Sequence, residues 1–554
     1  MVIIQVTLVW VGFNLQQNMP EKKAILLWKL LFFSVLGGYC LLNAPYGVNE
    51  TDGGFLTGLA WQVLEGKTLY RDIVYVRPPL PVLLRAGELL LLPDQWGVIG
   101  ERYVFFLKVA AYSWLAAAVL ASGARRWVLA VFGFVVSVHC YPPMAWHTVD
   151  GILFAVLAVW CFVGNTSTGS SPGSIWRAVL AGAFVFAAIL CKQSFYPMTA
   201  VFVFLLFMGK NAKKAAFATA GFTCCLALFW WYIDSRGLLS PYLDLTCESA
   251  SISQAFQRSV LDFFRIKPWL ALLSAPFIVL ALLHLKSGKY AKTILFAWPV
   301  WLALLMGSYA LEVWCSGEFT APFAQARLMF WVGMGWWLWQ VRQWRLDAPV
   351  VALGALLAVS WCASVSWGYN LPIMFSTPWV FGAMEVTRAI GRRTPVIGRL
   401  VDVATLVVLL VVFRWGYEFV YRDGRRSEMD TPMSRVFPQM SGIYSNSESG
   451  QLYLELRTLA IRYPNFTVLP SFTQANYLTK TFPPLPLDWV VRREMNGDST
   501  YVLRALQQYH PVLLFEKKHM NQMASDPEMA LVRTMFHSGT VIDETQYFWV
   551  VQSK

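Results

Sequence analysis

The chain has 554 residues, of which 57% are hydrophobic and only 14% charged, with a net charge of +13. A soluble domain has roughly a quarter of its residues charged, so this composition excludes a water-soluble globular protein and indicates a polytopic α-helical membrane protein. The basic residues sit in short clusters between apolar runs, among them Lys22–Lys23, Arg125–Arg126, Lys213–Lys214 and Arg392–Arg393. That is the pattern of cationic cytoplasmic loops, and it argues against DNA or RNA as partners.

In chain order, residues 1–13 are apolar but too short to span, and Met19 followed by PEKKAILLWKLLFF reads as the true start. Residues 1–23 are then a cytoplasmic or interfacial segment, and 24–43 is the first span. The stretch from 44 to 100 is expected outside. Leu80–Leu92 carries Arg85 and Glu88 between prolines, so it reads as a helix lying on the outer interface. Further spans are expected at about 101–122, 127–140, 150–164, 175–191, 195–209, 215–233, 268–285, 293–311, 323–341 and 349–368. The run 372–390 holds Glu385 and Arg388, and topological parity alone argues that it crosses; a last span at 399–414 brings the total to about thirteen. The membrane domain is therefore 24–414. Residues 165–174 (NTSTGSSPGS) read as a flexible inner linker.

From 415 to 554 the sequence becomes polar, and a small α/β domain on the outer face is expected. FTVLPSF, WVVRREM, HPVLLFEKK and YFWVVQ read as strands, Gly450–Tyr463 and Thr500–Tyr509 as helices. The nine cysteines contain no CxxC; Cys247 and Cys315 fall in expected outer loops and could pair.

The chemistry concentrates in Asn49–Pro81, NETDGGFLTGLAWQVLEGKTLYRDIVYVRPPLP. Asp52 precedes two glycines that allow a sharp turn. Phe55–Leu64 suits a short helix ended by Gly66, and Tyr70, Arg71 and Asp72 lead into an extended VYVRPPLP. An acid, a turn, a short helix, a second acid and a cation at a bilayer surface fit a lipid-linked substrate; the competing reading is a solvated connector. Asp52 and Asp72 are the candidate acids. Arg71, Arg77 and Lys192 are the candidates for a phosphate. Lys192, in LCKQSFYP, is equally readable as a lysine snorkelling to the interface. His147 and Asp150, in YPPMAWHTVDG, are further candidates for an acid or metal site, and Glu312, Glu318 and Arg327 near the last long outer loop are further candidates for a functional role. No phosphate-binding GxxxxGK[ST], HExxH, dinucleotide fingerprint or G-x-S-x-G occurs, and the six histidines do not cluster. One divalent cation (Mg or Mn) held by Asp52, a neighbouring acid and a substrate phosphate stays open.

The run TDGGFLTGLAWQVLEGKTLYRDIVYVRPPL resembles the first outer loop of the GT-C class of membrane glycosyltransferases, specifically the bacterial relatives of protein O-mannosyltransferase and the lipid A aminoarabinose transferase. PPLPVLLRAGELLLLP, Arg102 in GERYVFF and KQS at 192–194 continue the likeness. The resemblance implies an integral enzyme of a bacterial inner membrane. It would make an inverting transfer of a sugar from a polyprenyl-phosphate donor to a lipid, glycan or protein acceptor on the periplasmic face. It implies Asp52 as the catalytic or metal-binding acid, Arg77 as the residue holding the lipid phosphate and Arg102 as a further residue binding the lipid-linked donor. Two departures stand out. Asp52-Gly53 replaces a common Asp-Glu, and EFTAPFAQARL lacks the His-Tyr pair of many relatives. The alternatives are a polysaccharide polymerase or ligase using lipid-linked oligosaccharide, and a lipid or sugar flippase. Charges gathered in outer loops rather than mid-span favour an enzyme.

Overall fold

A computed structural model describes residues 20–552, apart from 141, 164–171, 209–210, 248–263, 265–266, 288, 290, 316–323, 366–374, 392–394, 422 and 523. Helices stand at the expected apolar runs. Helix α1 is Glu21–Leu42, α2 Phe55–Leu64, α3 Leu80–Leu91, α4 Gly97–Leu120, α5 Gly123–Val138, α6 His147–Val163, α7 Pro172–Ile189, α8 Met198–Met208 and α9 Ala212–Ser235. After Leu239–Cys247 come Pro268–Ser287, Ala291–Cys315, Ala324–Arg342, Ala348–Ser364, Thr377–Gly391 and Pro395–Glu418. The charged run 372–390 is helical from Thr377, and its Glu385 pairs with Arg125 at the start of α5, which removes the burden of an isolated charge.

By length and hydropathy, three of the described helices can cross a membrane: Glu21–Leu42, Asp94–Leu120 and Ala212–Ser235. The third shows why lipid is needed. Its Leu228, Trp230 and Trp231 are 59%, 53% and 68% exposed, an apolar face that water would penalise. The count of thirteen crossings rests on the sequence. Within the bundle, α4 packs on α5 and α6, and α7 packs on α6 and α9. The expected linker 165–174 lies largely outside the described residues, and positions 248–263 lie outside them altogether.

The C-terminal part is an α/β layer. Strand β1 (Phe466–Leu469) pairs in parallel with β2 (Val512–Glu516), and the crossover carries the amphipathic helix Thr500–Tyr509. β2 pairs antiparallel with β4 (Phe548–Gln552), which pairs antiparallel with β3 (Thr540–Glu544), giving the order β1-β2-β4-β3. Leu513, Leu514 and Phe515 are buried on both faces, as an inner strand requires. Strand β3 has no counterpart in the sequence reading, because TVIDE is an exposed edge without apolar alternation. WVVRREM is a correction. It makes one bridge, Ser471 to Trp489, and then turns into a 3-10 segment at Arg492–Met495 rather than continuing as a strand. Asn496 follows with a φ of 49°, so the chain reverses there. Cys247 and Cys315 are both exposed free thiols, so the expected pairing is not formed.

The outer loop and the C-terminal part interleave. The Gly47 N–H donates to the Tyr444 carbonyl at 2.8 Å and the Tyr444 N–H to Pro45 at 2.7 Å. Val74 donates to Pro486 at 2.9 Å and Thr473 to Glu50 at 3.0 Å. The candidate site therefore forms between segments more than 350 positions apart in the chain.

Candidate functional site

Asp52 is presented by a local device. The Asn49 side-chain carbonyl accepts the N–H groups of Thr51, Asp52 and Gly53 at 3.0, 2.8 and 3.2 Å, folding the backbone into a tight arch before α2. Gly54 caps α2 at a φ of 82°, where a side chain would be strained and would also strike Gln474. A Cβ at Gly53 would lie 2.6 Å from the Asn49 carbonyl oxygen, so this arch has no room for a second acid at 53. Asp52 is 6% exposed, and its Oδ2 accepts a hydrogen bond from the Tyr421 hydroxyl at 2.7 Å. The cleft beside it is lined by Asn49, Gly53, Gly54, Glu101, Arg102 and Tyr421, among others.

Arg77 sits deeper. Its guanidinium makes a bidentate pair with Glu494 at 2.6 and 2.7 Å, with both side chains almost wholly buried. It also lies over the ring of Phe55, 5.3 Å from the centroid. Phe55 is three residues beyond Asp52, so the acid and the guanidinium share one short stretch of wall. Lys192 is brought to the same region, and its ammonium donates to Thr148 Oγ1 at 3.2 Å and to the Val365 carbonyl at 2.9 Å. Both acceptors are neutral. Burial, and then the Arg77 charge, holds Lys192 down to about 7. Gln193 ties the arrangement together, its side-chain amide donating to Val76 at 2.5 Å, one residue before Arg77.

His147 is 1% exposed and stacks on Trp146 at 4.5 Å, and its Nδ1 has no hydrogen-bond partner among the described residues. The Tyr75 hydroxyl and the Ser194 Oγ are likewise buried without partners there. Orphaned polar atoms beside two buried cations are what a polar group of a ligand would satisfy. Asp150 pairs instead with Lys108 at 2.7 Å, and Lys108 also meets Glu88 at 2.9 Å.

The remaining candidates have other surroundings. Arg71 and Asp72 pair with each other at 2.9 Å on the surface, and Asp72 accepts the Thr68 N–H at 2.9 Å. The hydrogen bond from Arg71 keeps the Asp72 carboxyl below its usual range. Arg102 clamps the loop by donating to the carbonyls of Ala44, Tyr46 and Gly47 at 2.6, 2.9 and 2.5 Å. Arg85, expected on the interface, is 1% exposed and bonds Thr57, Glu101 and Gly97, which pins α3 while its Leu90 and Leu91 point outward. Glu312 pairs with Lys267, Glu318 lies outside the described residues, and Arg327 is half-buried at the start of Ala324–Arg342.

Three residues escaped the sequence reading: Tyr421, Glu494 and Asp488. Asp488 accepts from Gln62 at 3.3 Å, and Lys67 donates to Gln62, Pro483 and Leu485 at 3.3, 2.5 and 2.9 Å. Burial raises Asp488 to about 7 and lowers Lys67 to about 8. A side chain at Gly58 would run into Thr473 and Asp488, so α2 and the C-terminal part touch backbone to backbone.

The chain is similar in structure to ArnT of Cupriavidus metallidurans. A crystal structure of that protein bound to undecaprenyl phosphate matches at 13% identity and a TM-score of 0.45, over 95% of this chain and 97% of that one. The archaeal oligosaccharyltransferase AglB of Archaeoglobus fulgidus, in complex with an inhibitory peptide and a dolichol-phosphate, matches at 12% identity and a TM-score of 0.47, over 95% and 74%. An oligosaccharyltransferase of Archaeoglobus fulgidus in complex with Zn and sulfate matches at 12% identity and a TM-score of 0.46, over 95% and 73%. No protein-family model matches, and no curated protein does.

As a metal centre the residues fit poorly. Among the described residues no group of three or more His, Cys, Asp or Glu side chains is placed to hold an ion, and Gly53 cannot supply a second carboxylate beside Asp52.

Proposed function

We propose that the protein is an integral membrane glycosyltransferase that moves a sugar from a polyprenyl-phosphate-linked donor to a lipid, glycan or protein acceptor at the outer face of a bacterial inner membrane. In this reading 24–414 is the membrane domain, with the catalytic outer loop at 44–100, and 415–554 is the periplasmic α/β domain. Asp52 takes the proton of an acceptor hydroxyl, whose oxygen attacks the anomeric carbon from the face opposite the lipid. The bond from that carbon to the phosphate oxygen breaks, its electron pair leaves with the lipid phosphate, and the configuration inverts. Lys192 and Arg77 then face the growing charge on the phosphate, in a site where water is largely excluded and each cation counts for more than in bulk.

The observation that carries the reading is Lys192. Among the described residues, a buried ammonium held only by neutral oxygens, next to Arg77 and three orphaned polar atoms, is a half-completed anion site. The acid at Asp52, the exposed leucines of α3 and the exposed apolar side of α9 support a site between water and bilayer.

The test uses the full chain in nanodiscs, with a panel of undecaprenyl-phosphate sugars and a membrane extract as acceptor. Release of undecaprenyl phosphate with at least one donor is expected. No release from folded protein, together with turnover of a lipid-linked oligosaccharide, would replace the reading by a polymerase or ligase; neither would sink both.

A further inference from the structure

We infer that Tyr421 is a positioning residue for Asp52, and that the short hairpin after the last long helix is the second wall of the reaction site. The inference rests on the transferase reading and extends it to a segment that the outer loop does not contain. The hairpin pairs Phe419–Val420 with Gly424–Arg425 and immediately follows the helix Pro395–Glu418. From it, the Tyr421 hydroxyl reaches back across 369 positions to donate to Asp52 Oδ2 at 2.7 Å.

The hairpin is seated by the contacts of three further residues. Asp423 Oδ2 accepts the Val48 N–H at 2.7 Å and the Ser445 hydroxyl at 2.7 Å. Val420 lies so close over Gly47 that no side chain fits at 47. Arg426 donates to the Leu42 carbonyl and lies 3.6 Å over the ring of Tyr46. Tyr421 therefore approaches Asp52 from a fixed base.

The division of labour is physical. The Asn49 arch acts on the backbone of Asp52, whereas the Tyr421 hydroxyl bonds its carboxylate. A phenol on one carboxylate oxygen restrains the side-chain torsions that aim the group. Tyr421 also lines the cleft on which Asn49, Gly53 and Gly54 open, and a second cleft with Tyr39, Tyr46 and His139. It stands where an acceptor hydroxyl would enter. Misdirecting a reacting group by a fraction of an ångström is expensive in rate and cheap in binding.

The experiment measures kcat, the donor KM and the affinity for undecaprenyl phosphate in wild type, Tyr421→Phe, Asp52→Asn and the double variant. Tyr421→Phe is expected to lower kcat about ten- to a hundredfold, with donor KM and affinity unchanged. In the Asp52→Asn background the same change is expected to cost nothing further, because the two act as a unit. Tyr421→His, which keeps an N–H donor, is expected to recover part of kcat. Should Tyr421→Phe lower the unfolding midpoint, fluorotyrosine at 421 keeps the ring and hydroxyl and alters only donor strength. A kcat unmoved by either substitution, or an equal loss in the Asp52→Asn background, overturns the inference while leaving the transferase standing. A wild type that releases no undecaprenyl phosphate from any donor overturns both.

Discussion

Arg77 and Lys192 are two buried cations close enough for each to feel the other's charge, and the protein treats them in opposite ways. Arg77 is closed by a bidentate carboxylate from the C-terminal part, 417 positions away. Among the described residues, Lys192 has only a hydroxyl and a carbonyl. A planar fork matched by a carboxylate is a joint between two parts of the chain, whereas a point charge on neutral oxygens still has an anion to gain. Under the transferase reading, Arg77 fixes the geometry and lends its field, while Lys192 makes the contact that the phosphate completes.

Breaking the joint should give the largest effect on stability. Glu494→Gln leaves Arg77 buried without its counter-charge and is expected to cost about 3–5 kcal/mol, read from the unfolding midpoint in detergent. Arg77→Met combined with Glu494→Leu is expected to recover most of that stability but not activity. A single-variant loss below about 1 kcal/mol would mean that the pair is solvated and the contrast with Lys192 is lost.

Lys192→Met tests the other half. Removing an uncompensated buried charge is expected to leave the midpoint unchanged or raise it, while affinity for undecaprenyl phosphate falls about tenfold, or about 1.4 kcal/mol. An unchanged affinity in a titration would make Lys192 structural.

The same interface carries a milder pH response through Asp488 and Lys67. The folded protein keeps a proton on Asp488 up to about 7 that the unfolded chain releases near 3.8, so stability should fall as pH rises between about 4 and 7. Lys67 is held to about 8, below its ordinary 10.5, so stability should rise again between those values. Midpoints measured across pH are therefore expected to be lowest between about 7 and 8. Asp488→Asn is expected to flatten the acid slope and keep the alkaline rise; a slope that survives in Asp488→Asn would remove Asp488 from the interface's pH response. The smallest effect belongs to Arg71→Ala. Its ion pair with Asp72 lies at the surface, and both midpoint and transfer rate should stay at wild-type values. A clear loss of rate would move the phosphate contact to Arg71.

Helix positions were legible because apolar runs bounded by glycine, proline or basic clusters leave little choice, and α2 begins and ends where Gly54 and Gly66 punctuate it. The turn at Asp52 was legible for the same local reason, the glycines at 53 and 54. Tyr421, Glu494 and Asp488 were not, since each acts only through a partner 369 to 426 positions away, and nothing in FVYRDG or WVVRREM marks that pairing. Glu494 also lay in a run whose apolar residues imitate a strand. Arg102 and Arg85 read as site or surface cations, yet backbone carbonyls and buried acids absorb them, a fate decided by packing.

The most direct test of the account compares wild type and Asp52→Asn in nanodiscs, in a single turnover with bound undecaprenyl-phosphate sugar. The account predicts a loss of about 10²–10⁴-fold in the rate of undecaprenyl phosphate release, with donor affinity unchanged. Release from Asp52→Asn at the wild-type rate would contradict it and take the reaction away from this loop.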